Sequence, residues 1–498
     1  MEMQFVRSDV DWLDTVLAEV KNFEETLEIK LPDGMPDIGR ILACWGQVIL
    51  RGKEWRTESL GCSAGVMVWV LYAPEDGSGE RVLEGWIPFQ MKWSLPEDTP
   101  EGSIRINPML RFADARTTSA RKILVRAGLG TMAEALSPHS APVFAPATKG
   151  QNLELLRRTY PVRLQKEGGE KAFLLDEELT IPESAPKPEK IIYYRLNPRL
   201  TDKKVLSDKI VFRGNGNLHL LYRSEDGQLH GWDFDLPFSQ YDQLENIHSS
   251  DAMADIVLAP TGLELELDEE GRIRMKGGVT AQYVISDKEL LELVEDAYSP
   301  GRDMTIQRAD LEIPTLLDNR RENLYGEQAI PAEANIAVDV SFLPDFPRQQ
   351  RTENGVEMTI PGVFQVLYYG EDGMLHAGTA RWEGQFRMNS HENSRITALP
   401  VPMEAQAAIG NGQIVAKTEL PLELTSSARE RLPMVTGLEV GELRKADPNR
   451  PTLILKRAGQ EDLWHLAKAS GSTTEAIRRA NQLQAEPVPG QMLLVPVV

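Results

Sequence analysis

A seven-residue phrase written three times constrains this chain more than any other feature. It reads Leu71-Tyr72-Ala73-Pro74-Glu75-Asp76-Gly77, then Leu221-Tyr222-Arg223-Ser224-Glu225-Asp226-Gly227, then Leu367-Tyr368-Tyr369-Gly370-Glu371-Asp372-Gly373. The tyrosines stand 150 and 146 residues apart, well beyond the roughly 20–50 residues of a solenoid repeat and close to the size of one domain. The phrase therefore counts domains. Each copy closes an apolar run (Val66 to Val70, Leu218 to Leu220, Val363 to Val366) that reads as a strand. Asp-Gly favours a turn with positive φ, so strand plus Asp-Gly reads as a β-hairpin. The paired acids lack the alternating oxygen ligands of a calcium loop, which leaves turn chemistry as their role.

A chain of 498 residues exceeds what one hydrophobic core holds, so three to four domains are expected. The formal net charge is −21. Residues 451–498 carry five Lys/Arg against four Asp/Glu, so the acidity belongs to the rest of the chain. An acidic body disfavours nucleic acid and anionic lipid as partners. The two cysteines, Cys44 and Cys62, make no disulfide framework and read as buried free thiols of a reducing compartment. The N-terminus lacks the layout of a secretory signal, and no apolar stretch reaches about 18 residues. A cytoplasmic protein without a transmembrane segment is expected.

Near the N-terminus, Trp12, Leu13, Val16, Leu17 and Val20 recur at helical spacing behind Ser8, which predicts an amphipathic helix within residues 8–30. Turns follow at Pro32 to Pro36. Ile87-Pro88-Phe89 and residues 119–127 read as further strands. Taken together, Leu31 to Leu42, the strand Val68 to Tyr72, Ile87-Pro88-Phe89 and Ser119 to Ala127 resemble the SPOCS domain of sporulation and coat proteins. Residues 137–149, rich in Pro and Ala, read as a linker.

The second unit, 150–317, holds the alternating Leu263 to Leu267, turning at Glu270-Gly271 and returning as Arg272 to Met275. A helix is predicted over Lys288 to Ala297, capped by Ser286 or Asp287 and ended by Ser299-Pro300. Asp296-Ala297-Tyr298-Ser299 again resembles SPOCS repeats. The third, divergent unit spans 318–440. Its Trp382 lies nine residues past Gly373, as Trp86 lies nine past Gly77. A polar linker is read at 441–450.

Residues 451–498 form a compact last unit. Leu453 to Lys456 reads as a strand, Asp462 to Ala469 as a helix ended by Gly471, and Ser472 with Glu475 as a capping box for a second helix through Ala480. Pro489 to Pro496 reads as a closing strand. That order, with Leu-Trp-His-Leu-Ala, Asn-Gln-Leu and Pro-Gly-Gln-Met-Leu-Leu-Val-Pro, resembles a LysM domain. The resemblance implies a groove between the loop after the first strand and the loop after the second helix. Its candidate residues are Gly459, Gln460, Asp462, Leu463, Trp464, Asn481, Gln482 and Leu483. Leu463 and Trp464 read as core and groove wall rather than as a sugar-stacking platform. LysM grooves hold N-acetylglucosamine chains, but the first loop here, Ala458 to Asp462, departs from the family's Pro-Gly-Asp-Thr.

No catalytic site emerges. Gly61-Cys62-Ser63-Ala64-Gly65 matches a nucleophile elbow as a string, yet a β run follows it where a helix is required. No histidine has zinc-ligand spacing, and Arg213-Gly214-Asn215-Gly216-Asn217 reads as a turn. The chain is thus expected to be multidomain and mainly β, with three sandwich- or barrel-like SPOCS-type repeats followed by an α+β LysM domain and with no cofactor or metal. As a whole it resembles SipL-like spore-coat morphogenetic proteins. That resemblance implies a non-catalytic adaptor at the forespore surface whose LysM domain binds the SpoIVA-type coat-basement ATPase. The alternative is a LysM-mediated binder of peptidoglycan N-acetylglucosamine.

Overall fold

Alternation of apolar and polar residues, interrupted by Pro and Gly turns, yields a chain built almost wholly of antiparallel strands. The computed structural model describes residues 2–3, 5–146, 153–353, 355–389, 394–444 and 451–497. A short β1 (Glu2–Met3) is followed by β2 (Phe5–Lys30), β3 (Ile38–Arg56), β4 (Ser59–Pro74), β5 (Arg81–Ser94), β6 (Ser103–Ser119) and β7 (Lys122–Pro146). They form two three-stranded sheets, β3-β4-β5 and β2-β7-β6. Because β6 lies beside β3 and β5 beside β2, the sheets nearly close around a core. Val66, Val68, Phe89, Trp93, Val125 and Leu129 fill that core and are excluded from water.

The same strand order recurs in β8 (Glu154–Thr180), β9 (Pro188–Leu206), β10 (Lys209–Ser224), β11 (Leu229–Gln243), β12 (Met253–Leu267) and β13 (Arg272–Tyr298), paired as β11-β10-β9 and β12-β13-β8. It recurs again, with two strands divided, in β14 (Arg302–Pro331), β15 (Ala334–Pro344), β16 (Arg348–Thr352), β17 (Gly355–Gly370), β18 (Leu375–Met388), β19 (Ser394–Pro400), β20 (Ala405–Gly410) and β21 (Gln413–Leu443). Here β15 and β16 share one edge of β17, and β19 and β20 share one edge of β21. Prolines stand at both breaks, Pro344 and Pro347 in one and Pro400 and Pro402 in the other. A ladder cannot continue through residues that have no N–H to donate.

Each repeated phrase closes the middle strand of its sheet. Gly77, Gly227 and Gly373 have φ of +67°, +84° and +72°, the conformation that Asp-Gly was expected to supply. Each Asp carboxylate accepts the amide two residues on: Ser78 from Asp76 (2.9 Å), Gln228 from Asp226 (3.0 Å) and Met374 from Asp372 (2.9 Å). Tyr72 and Tyr222 are fully buried, and their hydroxyls donate to Pro36 O (3.1 Å) and Pro186 O (2.9 Å). The phrase therefore ties its hairpin to the loop that leads into the neighbouring strand. Tyr368 departs from this pattern and stacks on His376.

Several expectations are corrected. Residues 8–30 are not a helix but most of β2, and Lys288 to Ala297 lies in β13. The proposed linker at 137–149 is paired strand as far as its described residues run, from Ser137 opposite Asp14 to Pro146 opposite Phe5. The linker expected at 441–450 falls mostly outside the described residues. Arg213 to Asn217 is no turn but the interior of β10, where a bulge opposite Gly214 puts Arg199 O in the way of any added Cβ. Position 318 lies inside β14. Gly61 to Gly65 is strand, and Ser63 Oγ donates to Gln90 (3.1 Å). Cys44 and Cys62 are free and buried.

The three units pack as a triangle. Trp45 of the first stacks flat on Tyr193 of the second at 5.0 Å, and Trp69 meets Tyr194 edge-on at 4.8 Å. The hairpins converge: Arg223 reaches Glu80 (3.1 Å), Leu229 N–H donates to Tyr369 Oη (3.2 Å), and Arg40 donates to Leu375 O (3.1 Å). The side-chain amide of Gln282 hydrogen-bonds both N–H and C=O of Ile106 (2.9 and 2.8 Å), standing in for a neighbouring strand.

Between the second and third units, buried His219 lies between Asp233 (2.8 Å) and Asp339 (2.9 Å). Its Nε2 approaches Asp339 off the hydrogen-bond axis, so that contact is chiefly electrostatic. Burial alone lowers the imidazole pKa, but the Asp339 charge and the Asp233 hydrogen bond outweigh it and push it up to about 9. This stabilisation is therefore complete below the ordinary histidine value of about 6.5 and is lost as pH rises through about 9. Between about pH 6 and pH 10, wild type should lose on the order of 3 kcal/mol more stability than His219→Asn. Urea midpoints of the two proteins check this, and equal losses would refute it.

Candidate functional site

The chain closes with β22 (Leu453–Arg457), α1 (Leu463–Ser470), α2 (Thr474–Asn481) and β23 (Met492–Pro496), the two strands pairing antiparallel. Asp462 caps α1 by accepting the His465 N–H (2.9 Å), and Gly471 ends it in the left-handed conformation. The expected capping box is replaced. Thr473, not Ser472, accepts the Ala476 N–H (3.0 Å), while Ser472 is buried with its amide on Ala467 O. Ile477, Leu466, Leu493 and Val495 form the small core.

Of the residues expected to line a groove, Gly459, Gln460, Asp462 and Gln482 are at the surface. Gln482 adopts φ +51° at the end of α2. Leu463 is buried, with Leu483 packed partly against the same core. Asn481 is turned inward onto β23: its amide donates to Leu494 O (2.6 Å) and Ile477 O (2.8 Å) and accepts the Leu494 N–H (2.7 Å). The two loops are joined by Glu486, which accepts the Leu463 N–H (2.9 Å) and pairs with Arg478 (2.7 Å). A carboxylate at the start of α1 suits the positive end of the helix.

Trp464 points out of the groove and into the body of the protein. Its ring meets Tyr298 edge-on at 4.8 Å, and its Nε1–H donates to Asp296 Oδ2 (3.1 Å), which also receives Lys468 Nζ (2.6 Å). The other carboxylate oxygen takes Arg308 (2.6 Å). Burial would raise the Asp296 pKa, but the hydrogen bonds from Lys468 and Trp464 hold it below the usual carboxylate range. Thr474 adds a long contact to Glu154 (3.4 Å). Asp296 and Tyr298 were visible in the sequence only as part of a repeat-like stretch. Their docking role carries no local signal, because their partners lie more than 160 residues away.

A second concave region opens where the three units meet, a cavity of about 500 Å³ lined by groups that include Arg105, Glu134, Asp255, Arg163 and Arg429. Several of its charges are tied to one another. Arg105 is buried between Glu134 and Asp255, the latter at 2.7 Å, and Arg429 holds Asp14 at 2.6 Å. Burial opposes both charges of the Arg105–Asp255 pair, yet their mutual attraction, with Glu134 on the arginine side, keeps the guanidinium above and the Asp255 carboxyl below the usual values. Among the described residues no group of three or more His, Cys, Asp and Glu side chains is placed to hold a metal ion. No helix there is long and apolar enough to cross a membrane.

Comparison with known proteins gives one family match. A family model described as SipL, SPOCS domain, covers residues 187–264, from the start of β9 to the end region of β12, with the second tyrosine phrase inside it. No curated protein sequence and no solved structure matches the chain.

The docking geometry yields a direct test. Asp296→Ala leaves Lys468, Arg308 and the Trp464 N–H without their shared acceptor, and should weaken docking by about 2 kcal/mol. X-ray scattering of the intact variant should show a larger radius of gyration than wild type. An unchanged radius would mean that the Tyr298–Trp464 contact alone suffices.

Proposed function

We propose that the chain is a non-catalytic adaptor of spore-coat assembly, in which all three β units are SPOCS-type repeats and residues 451–498 are a LysM domain that binds protein. The observation that carries this reading is the SPOCS match at 187–264, because the strand order of the matched region occurs again in the first and third units. The β22-α1-α2-β23 order supports the LysM assignment. The partner we assign to that domain is a SpoIVA-type coat-basement ATPase, and the site of action is the mother-cell side of the forespore surface.

Two features favour protein over glycan as the ligand. The indole of Trp464 is engaged with Asp296 and Tyr298, and Asn481 spends its amide on β23, so neither group is free to meet a sugar. A non-catalytic role is supported by ion pairs within the central cavity, which commit Arg105 to Glu134 and Asp255, and Arg429 to Asp14.

The test uses the purified full-length chain. Immobilised, it should capture a SpoIVA-type ATPase, and capture should fall about tenfold or more when residues 451–498 are removed. Chitotetraose should show no saturable binding by calorimetry. Saturable chitotetraose binding without ATPase capture would establish the peptidoglycan reading instead.

A further inference from the structure

The sheet of the C-terminal module has one face on the helices and one in water, and the watery face is apolar. Leu453 (52% exposed), Leu455 (62%), Met492 (53%) and Leu494 (40%) all point outward, and Val488 (68%) is exposed in the loop before β23. Their alternate neighbours Leu493 and Val495 are fully buried beneath. Of the seventeen large apolar side chains exposed among the described residues, five lie on this module of 48 residues in a chain of 498. Single exposed leucines are ordinary, but a contiguous set on one sheet face marks an interaction surface. The module docks on the body through α1, so the body leaves this face uncovered.

The two edges of the sheet are not alike. On β23, both backbone groups of Leu494 are taken by the Asn481 amide. Leu494 lies opposite Leu455. Because its N–H and C=O point away from β22, the Leu455–Leu494 pair is of the non-hydrogen-bonded kind, and those of Leu455 point away from β23. By alternation the same holds for Leu453 and Arg457. Among the described residues no hydrogen bond reaches these outward backbone groups. One edge is therefore closed by a side chain, and the other is an open template next to an apolar face.

Charge selects the occupant. In this module Lys456 pairs with Glu461, Arg478 with Glu486 and Arg479 with Glu475, and Lys468 is spent on Asp296. Arg457, at the end of the open edge, donates instead to the Gly490 carbonyl, with no carboxylate partner among the described residues. A second copy of this chain would bring Leu453 to Arg457 alongside, a segment with two cations and no acid. We propose that β22 accepts an extended segment of a partner protein as an added strand. That segment has alternating apolar side chains, which pack beside Leu453 and Leu455, and an Asp or Glu that meets Arg457. The proposal deepens the adaptor reading, and only the identity of the partner rests on that reading.

The experiment uses the full-length chain, the synthetic peptide acetyl-Val-Thr-Val-Thr-Glu-amide, whose valines and Glu share one face as Leu453, Leu455 and Arg457 do, and the same peptide ending in Lys. The Glu peptide should slow amide exchange at Leu453 and Leu455 by about tenfold, and the Lys peptide should do so less. Leu455→Lys, an exposed change that leaves the core intact, should abolish the effect, with Leu453→Lys, also exposed on β22, as an independent second variant. No slowing with the Glu peptide would overturn the proposal. So would a concentration-dependent dimer of the chain that Leu455→Lys dissociates. In parallel, capture of a SpoIVA-type ATPase by wild type but equally by Leu455→Lys would refute the strand site while leaving the adaptor function standing. Peptide protection without ATPase capture would do the reverse.

Discussion

One extra residue at a matching point of each of three long β-ribbons governs the architecture. In β2–β7, β8–β13 and β14–β21 the pairing slips by one, leaving Val16, Lys166 and Leu317 without partners. The slips stand about one domain length apart, at matching points of the three units. A bulge bends and twists its strand, so each ribbon leaves its own barrel there and turns toward the other two. Beyond the bulges the ribbons pack together through Trp12, Val162, Leu164, Leu293, Leu311 and Ile313. A unit without its bulge would send those side chains into solvent. The charged cavity follows from the same geometry, since Thr15, Gln165 and Leu316, each next to an unpaired residue, line it.

The bulges also explain which parts of the fold were legible in the sequence. The turn chemistry of Asp76-Gly77 and its two counterparts depends on neighbouring residues alone, and the hairpins stand where Asp-Gly placed them. So does the stop of α1 at Gly471, where the signal is local and nothing remote overrides it. The helices expected within residues 8–30 and at 288–297 fail for one shared reason. A strand alternates with period two, but a bulge moves the phase by one residue, and an apolar pattern read across it acquires spacings of three and four. Val16 sits inside the first set, and a second slip at Glu295 sits inside the other. Leu291, Leu293, Val294 and Ala297 are all buried, as a helix would require, yet they belong to a strand whose inward face changes parity at that slip. The proline-rich stretch after Ser137 has the composition of a linker and the structure of a strand for a related reason. Its partner strand lies more than 120 residues earlier in the chain, and composition cannot report a pairing at that distance.

For the C-terminal module, the sequence carried the order of elements but not their orientation. Trp464 reads equally well as core, groove wall or exposed platform until Asp296 and Tyr298 are brought against it. Those two residues sit at the end of the second ribbon, and in the third ribbon β1 pairs along β21 at Leu438 and Glu439.

Docking at that position has a consequence for recognition. A module free on a linker presents every face, and a partner must overcome the entropy of orienting it before any contact is made. Held by Trp464 and Lys468, the same module keeps its helices against the second unit and presents the β22 edge with its leucines. The acidic body then acts as a screen, because a second copy approaching that edge brings its own negative charge, whereas the module itself is nearly neutral. Specificity here arises less from the apolar face, which any extended strand could cover, than from what surrounds it. Asn481 closes one edge, Arg457 asks for an acid at the other, and the body discourages self-pairing.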